Sequence, residues 1–156
     1  MLIGVPAETL AGETRVAATP ETVKKLVAQG HTVRVQSGAG VCASVTDAGF
    51  AAVGAEITDA AGAWGCDLVL KVRAPQGSEA GLLRPGSTLV GMLNPFDAAG
   101  LHRLAAAGVT AYALEAAPRR SRAQSGSVPC TQGDYIAENA VALTDNRYQR
   151  FFPMLM

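Results

Sequence analysis

Two cationic positions and one basic, amide-bearing loop are the parts of this sequence whose residue types could do chemistry. Arg15 stands in "GETRVAATP", Lys71 in "DLVLKV", and "RRSRAQS" at 119–125 gathers Arg119, Arg120, Arg122 and Gln124. A guanidinium can grip a carboxylate through two parallel hydrogen bonds, whereas an ammonium is a compact point charge. Several arginine and amide donors close together suit a pyrophosphate or a carboxamide. Asn94, in "LNPFD" at 93–97, can add another amide. Each residue also has a plainer reading. Arg15 can be a surface cation paired with Glu13 or Glu8, and the loop at 119–125 a solvated basic segment; pattern alone leaves both open. For Lys71, at the end of an apolar run, the expectation is the strand's polar exit to water.

The absences narrow the chemistry further. No GxGxxG follows a strand and no GxxxxGK[ST] is present, so no phosphate-cradling loop is encoded. "SGAG" at 37–40 is a fragment of the first pattern without its third glycine, and is not expected to touch phosphate. There is no GxSxG, and His31 and His102 stand alone, expected at the surface. Cys42, Cys66 and Cys130 lack CxxC spacing and read as reduced structural thiols, with no metal site. Thirteen basic residues balance thirteen acidic ones, which argues against a nucleic-acid binder. No apolar run approaches the ~18 residues of a membrane span, and the N-terminus does not read as a secretory leader. The expectation is a soluble domain of cytoplasmic type.

What must position these residues is an alternation of short β-rich runs with amphipathic segments. Strands are expected at 2–5, 32–36, 67–72, 87–93 and 109–115, with a weaker candidate at 56–58. Helices are expected at 19–30, 46–54 and 97–108, with a turn of helix between 56–58 and 67–72. The first helix is well marked, with Thr19 to cap it, Pro20 at its first position and Gly30 to close it. Pro95 reads as the start of the third. "DLVLKV" is almost wholly apolar, as a strand buried on both faces should be. Four or five strands alternating with helices argue for a single doubly wound α/β domain with a mainly parallel, Rossmann- or flavodoxin-like sheet. Its ligands should gather at the C-terminal ends of the strands. Beyond Ser125 the pattern weakens: a loop, then a helix within 135–152, then an apolar "PMLM" that suggests a truncation or a docking tail.

Taken together, "IGVPAETLAGETRVAATPETVKKL", "LVLKVRAP", "LRPGSTLVGMLNP" and "PRRSRAQS" resemble the N-terminal domain of the α subunit of proton-translocating NAD(P) transhydrogenase. Alanine dehydrogenase shares that fold and much of the first motif. The resemblance implies one of two Rossmann-like domains flanking a cleft, with NAD(H) held mainly by the second. Hydride would pass to NADP(H) on a separate domain, coupled to proton movement through a membrane domain. It implies a homodimer, cytoplasmic and peripheral to the bacterial inner membrane, with NADP(H)-binding and membrane subunits as partners. It carries cofactor-binding roles near the nicotinamide to Arg119 and Gln124.

In alanine dehydrogenases an arginine and a lysine matching Arg15 and Lys71 hold the substrate carboxylate, and a catalytic histidine follows the strand that here ends at Asn94. Without that histidine the transhydrogenase reading leads, because hydride transfer between nicotinamides needs no substrate proton acceptor. Past Ser125 the chain departs from the family's pattern. Ser127 stands where an aspartate is usual and Cys130 where a serine is usual, both expected near the nicotinamide. Residues 1–125 are therefore read as the N-terminal-type domain, and 126–156 as an atypical loop and helix leading toward an absent NAD-binding domain. The isolated chain is expected to be inactive and to hold no cofactor tightly. An alanine dehydrogenase-like enzyme and a non-catalytic dimerising module remain the alternatives.

Overall fold

The computed structural model describes residues 1–77 and 79–116. Its strands are β1 (Leu2–Val5), β2 (Thr32–Gln36), β3 (Glu56–Thr58), β4 (Leu68–Arg73), β5 (Thr88–Met92) and β6 (Thr110–Ala113). They form one six-stranded sheet in the order β3-β2-β1-β4-β5-β6, and every pairing is parallel. This is the doubly wound order in which the chain winds outward from β1 one way, then returns and winds the other way. The sheet thus has one strand more than the upper expectation, because the short "EIT" run does pair as β3.

Helices α1 (Pro20–Ala28), α2 (Asp47–Ala52), α3 (Ala60–Trp64) and α4 (Ala98–Ala106) supply the crossovers, while β4 and β5 are joined through a 3-10 turn at Glu79–Leu82. The local signals explain the helices. Thr19 Oγ1 accepts from the Thr22 amide at the start of α1, and Gly30, with φ 86°, follows its end. Asp59 caps α3 through the Gly62 amide at 2.8 Å. Pro95, by contrast, does not open α4. It lies in a turn closed by the Asp97 amide on the Asn94 carbonyl at 2.9 Å, and the helix begins at Ala98. The 109–115 run also divides, since β6 stops at Ala113 and Leu114–Ala116 wind into a 3-10 turn.

Two apolar layers sandwich the sheet. Ile3, Val23, Leu26, Val33, Phe50 and Leu70 belong to one, and Trp64, Cys66, Val69, Leu83, Leu89 and Leu104 to the other. Each fully buried aliphatic or phenyl side chain contributes about 1.5–3 kcal/mol relative to exposure. Strand β4 feeds both layers by the period-two rule: Leu68, Leu70 and Val72 face the first, Val69 the second. Lys71 therefore shares the face of Val69 and Trp64.

The long crossover from β3 to β4 brings α3 down onto β1, and Gly4 is what permits the approach. A Cβ at Gly4 would overlap the Ala63 carbonyl oxygen and press on Cys66 Sγ. Because the first obstacle is backbone, Gly4→Ala is expected to cost ~3 kcal/mol or more. Urea unfolding should show this as a lowered midpoint at unchanged slope.

Candidate functional site

The strand order reverses between β1 and β4, and in open parallel sheets the crevice beyond such a point is where ligands bind. Pairing between the two strands ends at Gly4↔Val69, so the rest of β4 runs on without β1 beside it. On its other side β4 changes register against β5, from Leu70↔Val90 to Arg73↔Met92, which accommodates one extra residue in β4. Gly91 lies against this irregularity; a Cβ there would meet the Lys71 carbonyl oxygen at 2.5 Å. The amides of Val72 and Arg73, beyond the reach of β1's backbone, donate to the Glu8 carboxylate at 2.7 and 3.2 Å. A side chain from the loop after β1 thus continues the ladder that the strand itself abandons.

Lys71 does not exit to water. Its side chain is 1% exposed, with the ammonium 5.3 Å from the centre of the Trp64 ring. Lys71 Nζ donates to the Ala7 carbonyl at 3.1 Å and forms ion pairs with Glu8 at 3.4 Å and Glu79 at 3.7 Å. Burial raises the Glu8 carboxyl above its ordinary range, opposed by the Lys71 charge and the two β4 amides. The expected polar exit is overturned because the turn carrying Glu79 and the loop carrying Glu8 both close over the lysine.

A second cluster lies on the rim. Glu13 receives both nitrogens of a bidentate Arg15 pair, each at 2.7 Å, and Arg73 Nε at 2.9 Å. The hydrogen bonds from Arg15 hold the Glu13 carboxyl down to about 2, against the effect of burial. Arg15 thus adopts the paired surface arrangement, half exposed at 46%, and its charge is already answered. Across both clusters three carboxylates, Glu8, Glu13 and Glu79, meet three cations, Lys71, Arg15 and Arg73. Among the described residues the crevice therefore holds its charges in balance.

Asn94 lies just past the end of β5, on the same C-terminal side of the sheet. It is exposed, with φ 50°, a left-handed backbone that asparagine tolerates better than most residues. Its amide donates to the Glu115 carboxylate at 2.5 Å. The "SGAG" loop has its donors engaged internally: Ser37 Oγ and the Gly38 amide both donate to Asp47, at 2.7 and 2.9 Å. That arrangement does not fit a phosphate. His102 is exposed and His31 half-buried. Cys66 Sγ is buried and donates to the Gly62 carbonyl, and burial pushes its thiol up to about 11. Among the described residues no three His, Cys, Asp or Glu side chains gather to hold a metal ion, and no helix is long and apolar enough to cross a membrane. Arg119, Gln124, Ser127 and Cys130 lie outside the described residues. The principal residues that motif reading missed are Glu79, Arg73 and Trp64. The alternation of Lys71 and Arg73 in "LKVR", at a strand's C-terminal end, was the available signal for Arg73.

Comparison with known proteins places this geometry. Residues 4–129 match the family model described as alanine dehydrogenase/PNT, N-terminal domain. The chain is 37% identical to NAD(P) transhydrogenase subunit alpha of Cereibacter sphaeroides over 97% of its own length and 30% of that protein's. It is 40% identical to the first of the NAD(P) transhydrogenase alpha-subunit polypeptides of Rhodospirillum rubrum, over 100% of its length and 43% of the relative's. The chain thus spans less than half the length of these curated relatives. Alanine dehydrogenase of Mycobacterium tuberculosis is 44% identical, over 60% of this chain and 26% of the relative. Among solved structures, a transhydrogenase from Sinorhizobium meliloti superposes with a TM-score of 0.76 at 35% identity, covering 80% of this chain and 38% of its own. An L-alanine dehydrogenase gives 0.72 at 34% identity, covering 74% and 32%.

The charge clusters set two expected outcomes. Lys71→Met leaves Glu8 and Glu79 facing each other inside the fold and should cost about 3–5 kcal/mol in urea unfolding at neutral pH. The deficit should shrink in acid as the Glu8 carboxyl, already raised by burial, takes up a proton. Glu13, whose folded value lies below its ordinary 4.5, contributes stability that is fully present above that value and is lost as pH falls through about 2. Unfolding measured across that acid range should therefore be less steeply pH-dependent in Glu13→Gln than in the unsubstituted chain.

Proposed function

The chain belongs to the alanine dehydrogenase/PNT family, as its N-terminal domain, and from that premise we propose that it forms one side of the dinucleotide cleft in a transhydrogenase α subunit. In that setting NAD(H) lies between this domain and a second, glycine-rich one. Bound there, the dinucleotide supplies the hydride that passes to NADP on another domain, coupled to proton translocation with Re/Si specificity. Arg119 and Gln124 orient the nicotinamide region by hydrogen bonding, with Ser127 and Cys130 nearby. A homodimer peripheral to the membrane, joined to NADP(H)-binding and membrane subunits, completes the proposal.

One observation supports this reading over the alanine dehydrogenase alternative: among the described residues the crevice is charge-balanced and offers no imidazole at its rim. Lys71 is engaged by Glu8 and Glu79, Arg15 by Glu13, and position 94 is an asparagine. Oxidation of an amine requires a group to manage substrate protons, whereas hydride transfer between nicotinamides does not. The domain's contribution is orientation and electrostatics, while the cofactor carries the chemistry. The transhydrogenase relatives also match nearly the whole chain, the Mycobacterium tuberculosis alanine dehydrogenase 60% of it.

Two measurements test the proposal. The 156-residue chain alone should quench or shift NADH fluorescence only weakly and without saturation, because "SGAG" spends its donors on Asp47. Saturable micromolar binding would contradict it. In a longer chain that includes the following domain, Arg119→Ala should weaken NADH binding about tenfold or more, the value of one charge-assisted hydrogen bond. Wild-type affinity in that variant would remove Arg119 from the site.

A further inference from the structure

Right-handed crossovers put helices on one face of a parallel sheet while the chain winds one way, and on the other face once it turns back. On the way out to β3, α1 and α2 give Val23, Leu26 and Phe50 to the first apolar layer. The later elements α3, the Glu79–Leu82 turn and α4 give Trp64, Ala80 and Leu104 to the second. The two helices on the first side lie against β2 and β3, at the other end of the sheet from β5 and β6. The first face nevertheless continues across those strands. Val90 belongs to the first layer and pairs with Tyr112, so the tyrosine shares its face, 37% exposed. Thr110, two residues earlier on β6, shares it by the period of two and is also exposed. Leu114, in the 3-10 turn after β6, packs against the first layer. The chain therefore leaves the edge of the sheet toward the side on which β5 and β6 have no described helix.

We propose that the chain's own segment 135–152 returns over the first face at β5 and β6, seating Ile136, Ala140 and Leu143 on the surface formed by Thr110, Tyr112 and Leu114. Those three residues recur at steps of three to four, the spacing of one apolar helix face, and the sequence offers that face no other partner nearby. Residues 117–134 supply the connection from the end of the 3-10 turn. A segment tethered in this way meets the face at an effective concentration on the order of millimolar, ahead of a second copy of the chain in dilute solution. The docking rests on the winding of the sheet and not on the dinucleotide reading. Its consequence for that reading is that the loop with Arg119 and Gln124 is tied at both ends, by β6 before it and by the returning segment after it.

Cross-linking between two introduced cysteines tests the seat in the 156-residue chain. Cys42→Ser and Cys130→Ser clear the background, and Cys66 stays because it is buried. Thr110→Cys is combined with Ala140→Cys and treated with a short bismaleimide. In the control, Ala111→Cys replaces Thr110→Cys; Ala111 is an exposed neighbour that points to the opposite face. Thr110→Cys should couple to Ala140→Cys within one chain several-fold faster than Ala111→Cys does, and Ile136→Asp should abolish the difference. Equal coupling from the two faces, coupling between chains instead of within one, or a preference that survives Ile136→Asp overturns the proposal. A second measurement needs no cysteine. Nitration of Tyr112, followed by peptide mass spectrometry, should be several-fold faster in Leu143→Ala than in the unsubstituted chain, and an unchanged rate equally overturns the proposal. If the cysteine variants do not fold, the nitration rates decide alone.

Discussion

The C-terminal side of this sheet is organised around one buried ammonium. Removing a lysine from water is costly unless paired charges and hydrogen bonds replace its hydration. Here a backbone carbonyl, an aromatic face and two carboxylates do so, drawn from three separate elements. Ala7 and Glu8 come from the loop after β1, Trp64 from the end of α3, and Glu79 from the turn before β5. The cation therefore ties together the strands on either side of the topological switch. The register change in β4 and the glycine opposite it belong to the same arrangement, because Gly91 leaves room for the Lys71 carbonyl.

The same constraint limits what the crevice can do chemically. A site that binds an anionic substrate needs an excess of positive charge, and a site that moves protons needs a group able to exchange them. Among the described residues the crevice has its cations matched by carboxylates, and the neighbouring strand is followed by the amide side chain of Asn94. Such a surface suits the face of a cleft that positions a cofactor held mainly elsewhere. The rim pair of Arg15 and Arg73 on Glu13 adds rigidity to the loop after β1, through the two nitrogens of Arg15 and one of Arg73.

Much of the fold was legible in the residues. Thr19, Pro20 and Gly30 delimit α1 because capping chemistry is local, and the apolar run at the start of β4 reflects burial on both faces. Local pattern failed where partners are distant in sequence. Lys71 read as an exit to water because nothing near it in the chain announces Glu8, which lies before α1, or the return of Glu79 from the following turn. Pro95 has a backbone suited to a first helical turn, yet the left-handed Asn94 and the Asn94–Asp97 turn place it earlier. The strand read through 115 stops at Ala113 because Leu114–Ala116 wind into the turn that brings Glu115 onto the Asn94 amide. The candidate loop with Arg119 and Gln124 rests on motif alone.

The chain has three lysines, which makes the central interaction directly measurable. Lys24 and Lys25 are exposed on α1, while Lys71 is 1% exposed in the crevice. The first measurement is amine acetylation of the native chain with a small reagent, followed over time by peptide mass spectrometry. The account predicts rapid modification of Lys24 and Lys25, protection of Lys71, and loss of that protection in urea. Modification of native Lys71 at the rate of the helix lysines would contradict a buried, charge-paired ammonium at the switch point.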